Sequence, residues 1–157
     1  MLPPLLSRNL FHTGYAVHSM DSAIATLTDK FGISQWKVVP LPEESGGRAL
    51  GFAYVEHSMI ELIDIVPGGV EIYTDWVPAE PGTLRLHHLG HMVHSREEFD
   101  EVVDRFAAIG VEMVMDAQMP GILEYRYFDT VALLGHFSEY VLMQPGGDVF
   151  WQDVPRN

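Results

Sequence analysis

Two stretches of this chain share one eight-residue pattern, and this internal repeat restricts the possible folds more than any other feature. The pattern His-x-Gly-x-x-Val-His-Ser occurs over residues 12–19 and again over residues 88–95. A glutamate follows each copy, Glu61 after the first and Glu139 after the second, and Pro-Gly-Gly begins six positions after each glutamate. The repeat predicts two copies of one module, each with a histidine near its start and a glutamate near its end.

The predicted organisation is a single domain built from these two modules. Module 1 spans about residues 10–66, a linker rich in proline and glycine spans about 67–84, and module 2 spans about 85–147, followed by a short tail. A globule of 157 residues buries roughly 68 to 70% of the surface that its unfolded chain exposes, which is enough for an apolar core.

Each module is predicted to contain a strand, a helix and three further strands. Ser19 and Ser95 are suited to cap the two helices, and Gly32 and Gly110 are predicted to end them. In addition, Ser95 and Glu98 form a capping box, in which each side chain accepts a hydrogen bond from the other residue's backbone N–H. The strands are expected over residues 11–17, 36–41, 49–55 and 58–65 in module 1, and over 86–93, 111–115, 122–128 and 135–143 in module 2.

The charge of the chain and its lack of cysteine exclude several classes of function. A net charge of −13 with only nine Lys and Arg residues argues against binding to nucleic acid or to an anionic membrane, because phosphate contacts need clustered basic side chains. Without cysteine, a bound metal must be held by histidine and carboxylate. Residues 1–6 are too short and proline-broken for a signal peptide, and no apolar run approaches the ~20 residues of a membrane span. We therefore expect a soluble cytoplasmic protein.

The repeated histidines and glutamates are candidate metal ligands. Because side chains alternate in a strand, His88 shares its face with Gly90 and Met92, whereas His87 and His91 face the other way. A single histidine in an apolar strand is usually a packing residue, so the hypothesis depends on the joint pattern. If a pseudo-twofold axis relates the modules, the repeated side chains converge on one point.

Two imidazoles and two carboxylates, without sulfur, suit a divalent ion such as Zn, Ni, Co, Mn or Fe(II). The predicted ligands are His12, Glu61, His88 and Glu139. Four protein ligands leave open positions in an octahedral shell, as a catalytic site requires. The expected chemistry is Lewis-acid stabilisation of an enolate or enediolate on a small oxygenated substrate.

Three short segments resemble signatures of the vicinal oxygen chelate superfamily, the group of glyoxalases, bleomycin-resistance proteins and extradiol dioxygenases. They are His87-His88-Leu89-Gly90, Ile60-Glu61-Leu62-Ile63 and Gly135-His136-Phe137-Ser138-Glu139-Tyr140. The resemblance implies an α+β fold of two βαβββ modules that form a curved mixed sheet. It also implies that the metal ligands lie on the first and fourth strand of each module, which agrees with the four residues above.

A fourth ligand at Glu61 resembles glyoxalase I and methylmalonyl-CoA epimerase, in which a proton moves on carbon next to a carbonyl. The resemblance therefore implies a metal-dependent isomerase, epimerase or lyase, with Glu61 or Glu139 as the catalytic base. The segment Val39-Pro40-Leu41-Pro42-Glu43 resembles an epimerase segment that presents a carboxylate. By this resemblance, Glu43 is a candidate second base.

Two alternatives remain open from the sequence. One is an extradiol-type Fe(II) dioxygenase, in which His12, His88 and Glu139 are the ligands and Glu61 lies outside the ligand set. The other is a protein that sequesters a drug such as bleomycin without catalysis. We also expect a homodimer, because Trp76, Phe150 and Trp151 are apolar residues suited to a subunit contact.

Overall fold

The computed structural model describes residues 4–6 and 9–157. Residues 1–3, to which part of the signal-peptide expectation refers, lie outside this range. Within the described residues, every helix is too short or too polar to cross a bilayer.

Within the described residues, eight strands and the two longer helices, Met20–Phe31 and Arg96–Ala108, follow one another in the order that the repeat predicts. The elements are β1 (Leu10–Val17), α1 (Met20–Phe31), β2 (Lys37–Pro40), β3 (Gly47–Val55), β4 (Ser58–Ile65), α2 (Glu71–Thr74), β5 (Leu84–Val93), α3 (Arg96–Ala108), β6 (Met113–Met119), β7 (Leu123–Phe128), α4 (Val131–Leu134) and β8 (Phe137–Met143). The strands are hydrogen-bonded in a mixed sheet, in which β2, β3, β4 and β1 are neighbours in that order, as are β5, β8, β7 and β6. The predicted α+β fold class is confirmed.

Several details differ from the prediction. The short helix α2 lies in the segment predicted to be a linker, α4 lies between two predicted strands, and β8 begins at Phe137 rather than at residue 135. Strand β6 begins at Met113 rather than at Val111, because the Val111 N–H donates to Phe106 O at 3.0 Å and closes the end of α3. Gly110 has a φ of +75° at this point, so the chain reverses before the strand begins.

The chain divides into two compact units. The N-terminal unit comprises Thr13–His87 with Val154–Asn157, and the C-terminal unit comprises Met1–His12 with His88–Asp153. In the N-terminal unit, the apolar face of α1 packs through Ala23 and Leu27 into a core that includes Leu62 of β4. Ser19 caps this helix, since its hydroxyl accepts from the Ser22 N–H at 3.3 Å.

A buried carboxylate supports the start of α1, and the sequence did not reveal it. Asp64 is 6% exposed, and its Oδ2 accepts a hydrogen bond from the Met20 N–H at 3.0 Å. Its Oδ1 accepts from the Arg48 guanidinium at 3.1 Å. An anionic acceptor at this position satisfies a free N–H of the first turn and interacts favourably with the helix dipole.

The last residues of the chain belong to the N-terminal unit and extend its hydrogen bonding. The Tyr54 N–H donates to Pro155 O at 2.8 Å, and the Asn157 N–H donates back to Tyr54 O at 2.9 Å. The Arg156 guanidinium lies 4.2 Å from the centre of the Tyr54 ring. The tail is therefore fixed against β3.

In the C-terminal unit, α3 packs on the sheet through Phe99 and Phe106. The Phe106 ring stacks against Phe128 of β7 and contacts Tyr140 of β8 edge to face. The capping box was predicted correctly for Ser95, whose hydroxyl accepts from the Glu98 N–H at 3.1 Å. The reciprocal bond differs from the prediction by one residue. The expected donor to the Glu98 carboxylate was the Ser95 N–H, whereas Glu98 Oε2 accepts from the His94 N–H at 3.0 Å.

Asp64→Ala is expected to lower the free energy of unfolding by about 1–3 kcal/mol, because the Met20 N–H at the start of α1 loses its acceptor in a buried position. Arg48→Ala removes only the half-exposed partner of the same carboxylate and should cost less, about 0–1 kcal/mol. Urea unfolding followed by circular dichroism measures both values. Equal losses in the two variants would mean that the ion pair, rather than the helix contact, accounts for the role of Asp64.

Candidate metal site

Three buried side chains meet in the C-terminal unit, from strands β1, β5 and β8. His12 is 5% exposed, His88 is 0% exposed and Glu139 is 4% exposed. His12 Nε2 lies 2.8 Å from His88 Nε2 and 2.9 Å from Glu139 Oε2, and His88 Nε2 lies 3.3 Å from the same oxygen. One donor atom from each residue therefore faces a common point.

Strand register explains how residues so distant in sequence meet. Strands β5 and β8 are parallel and pair Gly90 with Glu139, while β7 and β8 are antiparallel and pair Tyr127 with the same glutamate. Paired residues point to the same face, and His88 lies two residues before Gly90 on that face. The carboxylate of Glu139 is thus flanked by Gly90 of β5, which has no side chain, and by Tyr127 of β7.

Gly90 provides the space that the imidazole of His12 occupies. A Cβ atom at this position would lie 2.4 Å from His12 Cε1 and 2.7 Å from both ring nitrogens. Such distances are far inside van der Waals contact, so the His12 ring lies directly over the backbone of β5. The glycine of the repeated His-x-Gly pattern therefore has a steric reason in module 2.

The three donors fit a divalent cation. Glu139 Oε2 is fully buried and makes no hydrogen bond of ordinary geometry within the described part of the chain, although two imidazole nitrogens face it. A buried carboxylate oxygen in this position needs a positive partner. Ligand atoms about 2.1 Å from an ion, at right angles to each other, are separated by about 3.0 Å. The observed separations of 2.8, 2.9 and 3.3 Å lie around this value.

Three of the four predicted ligands are thus brought together. Among the described residues, the group of donor atoms within 4.8 Å of one another contains His12, His88 and Glu139, but not Glu61. Glu61 lies on β4 in the N-terminal unit, is 9% exposed and pairs with Phe52 of β3. Glu43 lies in an exposed turn of 3-10 helix at Glu43–Ser45. The roles of Glu61 and Glu43 remain predictions.

The neighbouring histidines of β5 have structural contacts instead. His87 is completely buried, its Nε2 lies 2.9 Å from Ile72 O, and its ring stacks on Tyr73 at 4.9 Å. It therefore holds the linker segment around α2 in place within the N-terminal unit. His91 stacks on Tyr140 at 5.2 Å. Burial raises the pKa of the Tyr140 phenol, so this tyrosine remains neutral.

A further contact, which the sequence did not predict, reaches the second nitrogen of a candidate ligand. The Tyr127 hydroxyl lies 3.3 Å from His88 Nδ1, and the two rings meet edge to face with centroids 5.1 Å apart. The contact depends on the register of β7 against β8, which no local sequence pattern reveals.

A family model for the glyoxalase, bleomycin resistance protein and dioxygenase superfamily matches residues 11–127. The chain belongs to this superfamily. The match includes His12 and His88 and extends beyond half of the chain, so the resemblance first noted in three short segments is confirmed. No sequence in a search of curated proteins matches the chain.

Solved structures of similar fold agree with this superfamily assignment. A methylmalonyl-CoA epimerase from Mycobacterium tuberculosis is 21% identical, with 95% of this chain and 97% of the epimerase covered and a TM-score of 0.65. The epimerase of Streptomyces coelicolor, in complex with 2-nitronate-propionyl-CoA, is 16% identical, with coverages of 88% and 99% and a TM-score of 0.64. A hypothetical protein from Bacillus halodurans is 20% identical, with coverages of 88% and 96% and a TM-score of 0.64. At these identities the likeness establishes the fold.

Gly90→Ala is expected to destabilise the protein through its clash with the His12 ring. In a His12→Ala background the ring is absent, so the same substitution should cost much less. The two changes should therefore be non-additive, with a coupling energy of about 0.5–3 kcal/mol, as found for residues in direct contact. Denaturant unfolding of the two single variants and the double variant, without added metal, measures this energy. Additive losses would show that Gly90 is required for another reason.

Proposed function

We propose that this protein is a metal-dependent enzyme that isomerises, epimerises or cleaves a small oxygenated substrate by moving a proton on carbon next to a carbonyl. The observation that carries the proposal is the convergence of two imidazoles and a carboxylate, all nearly inaccessible to solvent, on one point. Membership of the superfamily supports an enzyme, and the donor set supports a metal ion.

His12 Nε2, His88 Nε2 and Glu139 Oε2 would hold the ion, which we expect to be Zn, Ni, Co, Mn or Fe(II). When bound, such an ion acts as a Lewis acid that stabilises negative charge on a substrate oxygen. The carboxylate of Glu139 offsets part of the charge of the ion, and the neutral imidazoles add none. Glu61 is proposed as the fourth ligand, since it is a buried carboxylate at the equivalent position of module 1.

Proton transfer requires a base within hydrogen-bond distance of the carbon that loses the proton. Glu61 or Glu139 is proposed to act in this way, by exchanging a role at the ion for contact with substrate. Glu43 is proposed as a second base. Its position in an exposed turn leaves its carboxylate available to a ligand from solvent.

The structural neighbours suggest which substrate class to test first. Two of the similar structures are methylmalonyl-CoA epimerases, and one of them contains 2-nitronate-propionyl-CoA. An acyl thioester with an acidic proton beside its carbonyl is therefore the first candidate substrate.

We also propose a homodimer. Within the chain, Trp151 already packs edge-on against Phe11 at 5.1 Å, and Trp76 lies under the Arg85 guanidinium at 4.4 Å.

One observation favours a second candidate function. The group of three donors, two histidines and one carboxylate, is the ligand set of non-haem Fe(II) oxygenases. An extradiol-type dioxygenase would use His12, His88 and Glu139 and would leave Glu61 outside the ligand set. A drug-binding protein without catalysis does not require three buried metal-type donors, so the site gives it less support.

Elemental analysis of the purified protein is expected to find about one divalent ion per chain. His88→Ala and Glu139→Gln should lose most of this metal, because each removes one of three converging donors. His94→Ala is the matched control, since His94 belongs to the same repeat but is exposed and should retain full metal content. Full metal content together with full activity in His88→Ala would rule out the assignment. Loss of metal from Glu61→Gln would indicate four protein ligands, and full metal content in this variant would indicate three.

With methylmalonyl-CoA as the probe in deuterated water, the proposed enzyme should exchange the proton beside the thioester carbonyl, and chelation should abolish the exchange. Glu43→Gln should slow the exchange in one stereochemical direction, whereas its neighbour on the same turn, Glu44→Gln, should not. Oxygen uptake with a catechol would instead identify a dioxygenase. Bleomycin binding that survives chelation, without any turnover, would identify a sequestering protein.

A further inference from the structure

We infer that Tyr127 is a positioning residue for His88: its hydroxyl accepts a hydrogen bond from His88 Nδ1–H and thereby holds the ring in the tautomer that presents the lone pair of Nε2 to a cation. This inference rests on the proposed metal site and adds a role that neither superfamily membership nor the ligand set implies. It starts from the 3.3 Å separation between the Tyr127 hydroxyl and His88 Nδ1.

The tautomer of His88 determines whether the site can bind metal. A neutral imidazole carries one ring proton, and a nitrogen that binds metal must present its lone pair. His88 Nε2 faces His12 and Glu139 and is the atom that would bind the ion, so a metal-binding His88 must carry its proton on Nδ1. His88 is 0% exposed, and a buried N–H needs an acceptor because water cannot satisfy it. The Tyr127 oxygen lies where that acceptor is required.

The hydroxyl is held in place by the packing of its ring. Tyr127 is 2% exposed and pairs with Glu139 across β7 and β8. Its ring meets those of Tyr125 and Phe137 edge to face, at centroid distances of 5.8 and 6.3 Å. A ring packed on several sides cannot swing its hydroxyl away without opening a cavity. The contact to His88 is therefore a built feature of the sheet.

A phenol differs from the carboxylate or carbonyl that usually accepts from a metal-binding histidine. Because the phenol is neutral, it orients the ring without adding negative charge. Among His12, His88, Glu139 and Tyr127, the only formal negative charge is then on Glu139. The site would retain more of the positive charge of a divalent ion than one with a second carboxylate behind the histidine.

Tyr127→Phe tests this role, because it removes the hydroxyl and keeps the ring. The affinity for Co(II), titrated into metal-free protein and followed by its absorption spectrum, should fall about 10- to 100-fold, as found when partners of metal-binding residues are removed. Tyr125→Phe is the matched control, since it removes a hydroxyl two residues away on the same face of β7, and its affinity should remain within twofold of wild type. A Co(II) affinity of Tyr127→Phe that also stays within twofold of wild type would overturn the inference.

A second measurement does not depend on metal. The ¹⁵N chemical shifts of the His88 ring in metal-free wild-type protein should show the proton on Nδ1, and Tyr127→Phe should shift the population toward Nε2–H. If the wild-type ring carries its proton on Nε2, the inference is wrong, even if the variant fails to fold. If the tautomer behaves as expected but no variant or wild type binds metal, the proposed function fails and the positioning role stands. If wild type binds metal and Tyr127→Phe changes neither the affinity nor the tautomer, the positioning role fails and the proposed metal site stands.

Discussion

Burial of three polar side chains at one point is the constraint on which the local structure of the C-terminal unit depends. His12, His88 and Glu139 are each at most 5% exposed, and a carboxylate with two imidazoles is costly to remove from water unless each group is paired or binds a cation. The missing side chain of Gly90 and the hydroxyl of Tyr127 both serve this arrangement. The first admits the His12 ring, and the second contacts the outer nitrogen of His88.

Alternation along a strand lets one sheet serve both stability and chemistry. On β8, Glu139 faces the candidate metal site, while the next residue, Tyr140, packs with Phe106 and Phe128 beneath α3. The apolar face supplies the burial that stabilises the unit. The polar face can therefore keep donors that contribute little to stability, and it is held rigid by strands that are anchored on the opposite side.

The superfamily constrains the fold much more tightly than the reaction. Its members include isomerising enzymes, oxygenases and binding proteins, and the description of the family model itself names several of these. The chemistry depends on how many carboxylates reach the ion and on what approaches its open positions. In this chain, His12, His88 and Glu139 converge on one point, and the proposed addition of Glu61 distinguishes the isomerase proposal from the dioxygenase alternative.

Much of this protein could be read from the sequence, because the decisive signals are local or repeated. The duplicated pattern and the period-2 alternation predicted the order of strands and helices, and the caps at Ser19 and Ser95 were correct. The repeat also predicted His12, Glu61, His88 and Glu139 as residues of one site, and three of them, His12, His88 and Glu139, lie together. A local sequence pattern reports the face of a strand on which a side chain lies, which is why these predictions were possible.

Strand register and close approach were decided only by the tertiary structure. The pairing of Tyr127 with Glu139, the ring of His12 over Gly90, and the contact of Asp64 with the start of α1 all join residues far apart in sequence. No periodicity encodes such distances, because they depend on how strands slide against one another until both faces of the sheet are packed. The sequence by itself determined the modules and the candidate ligands, and packing determined which atoms meet.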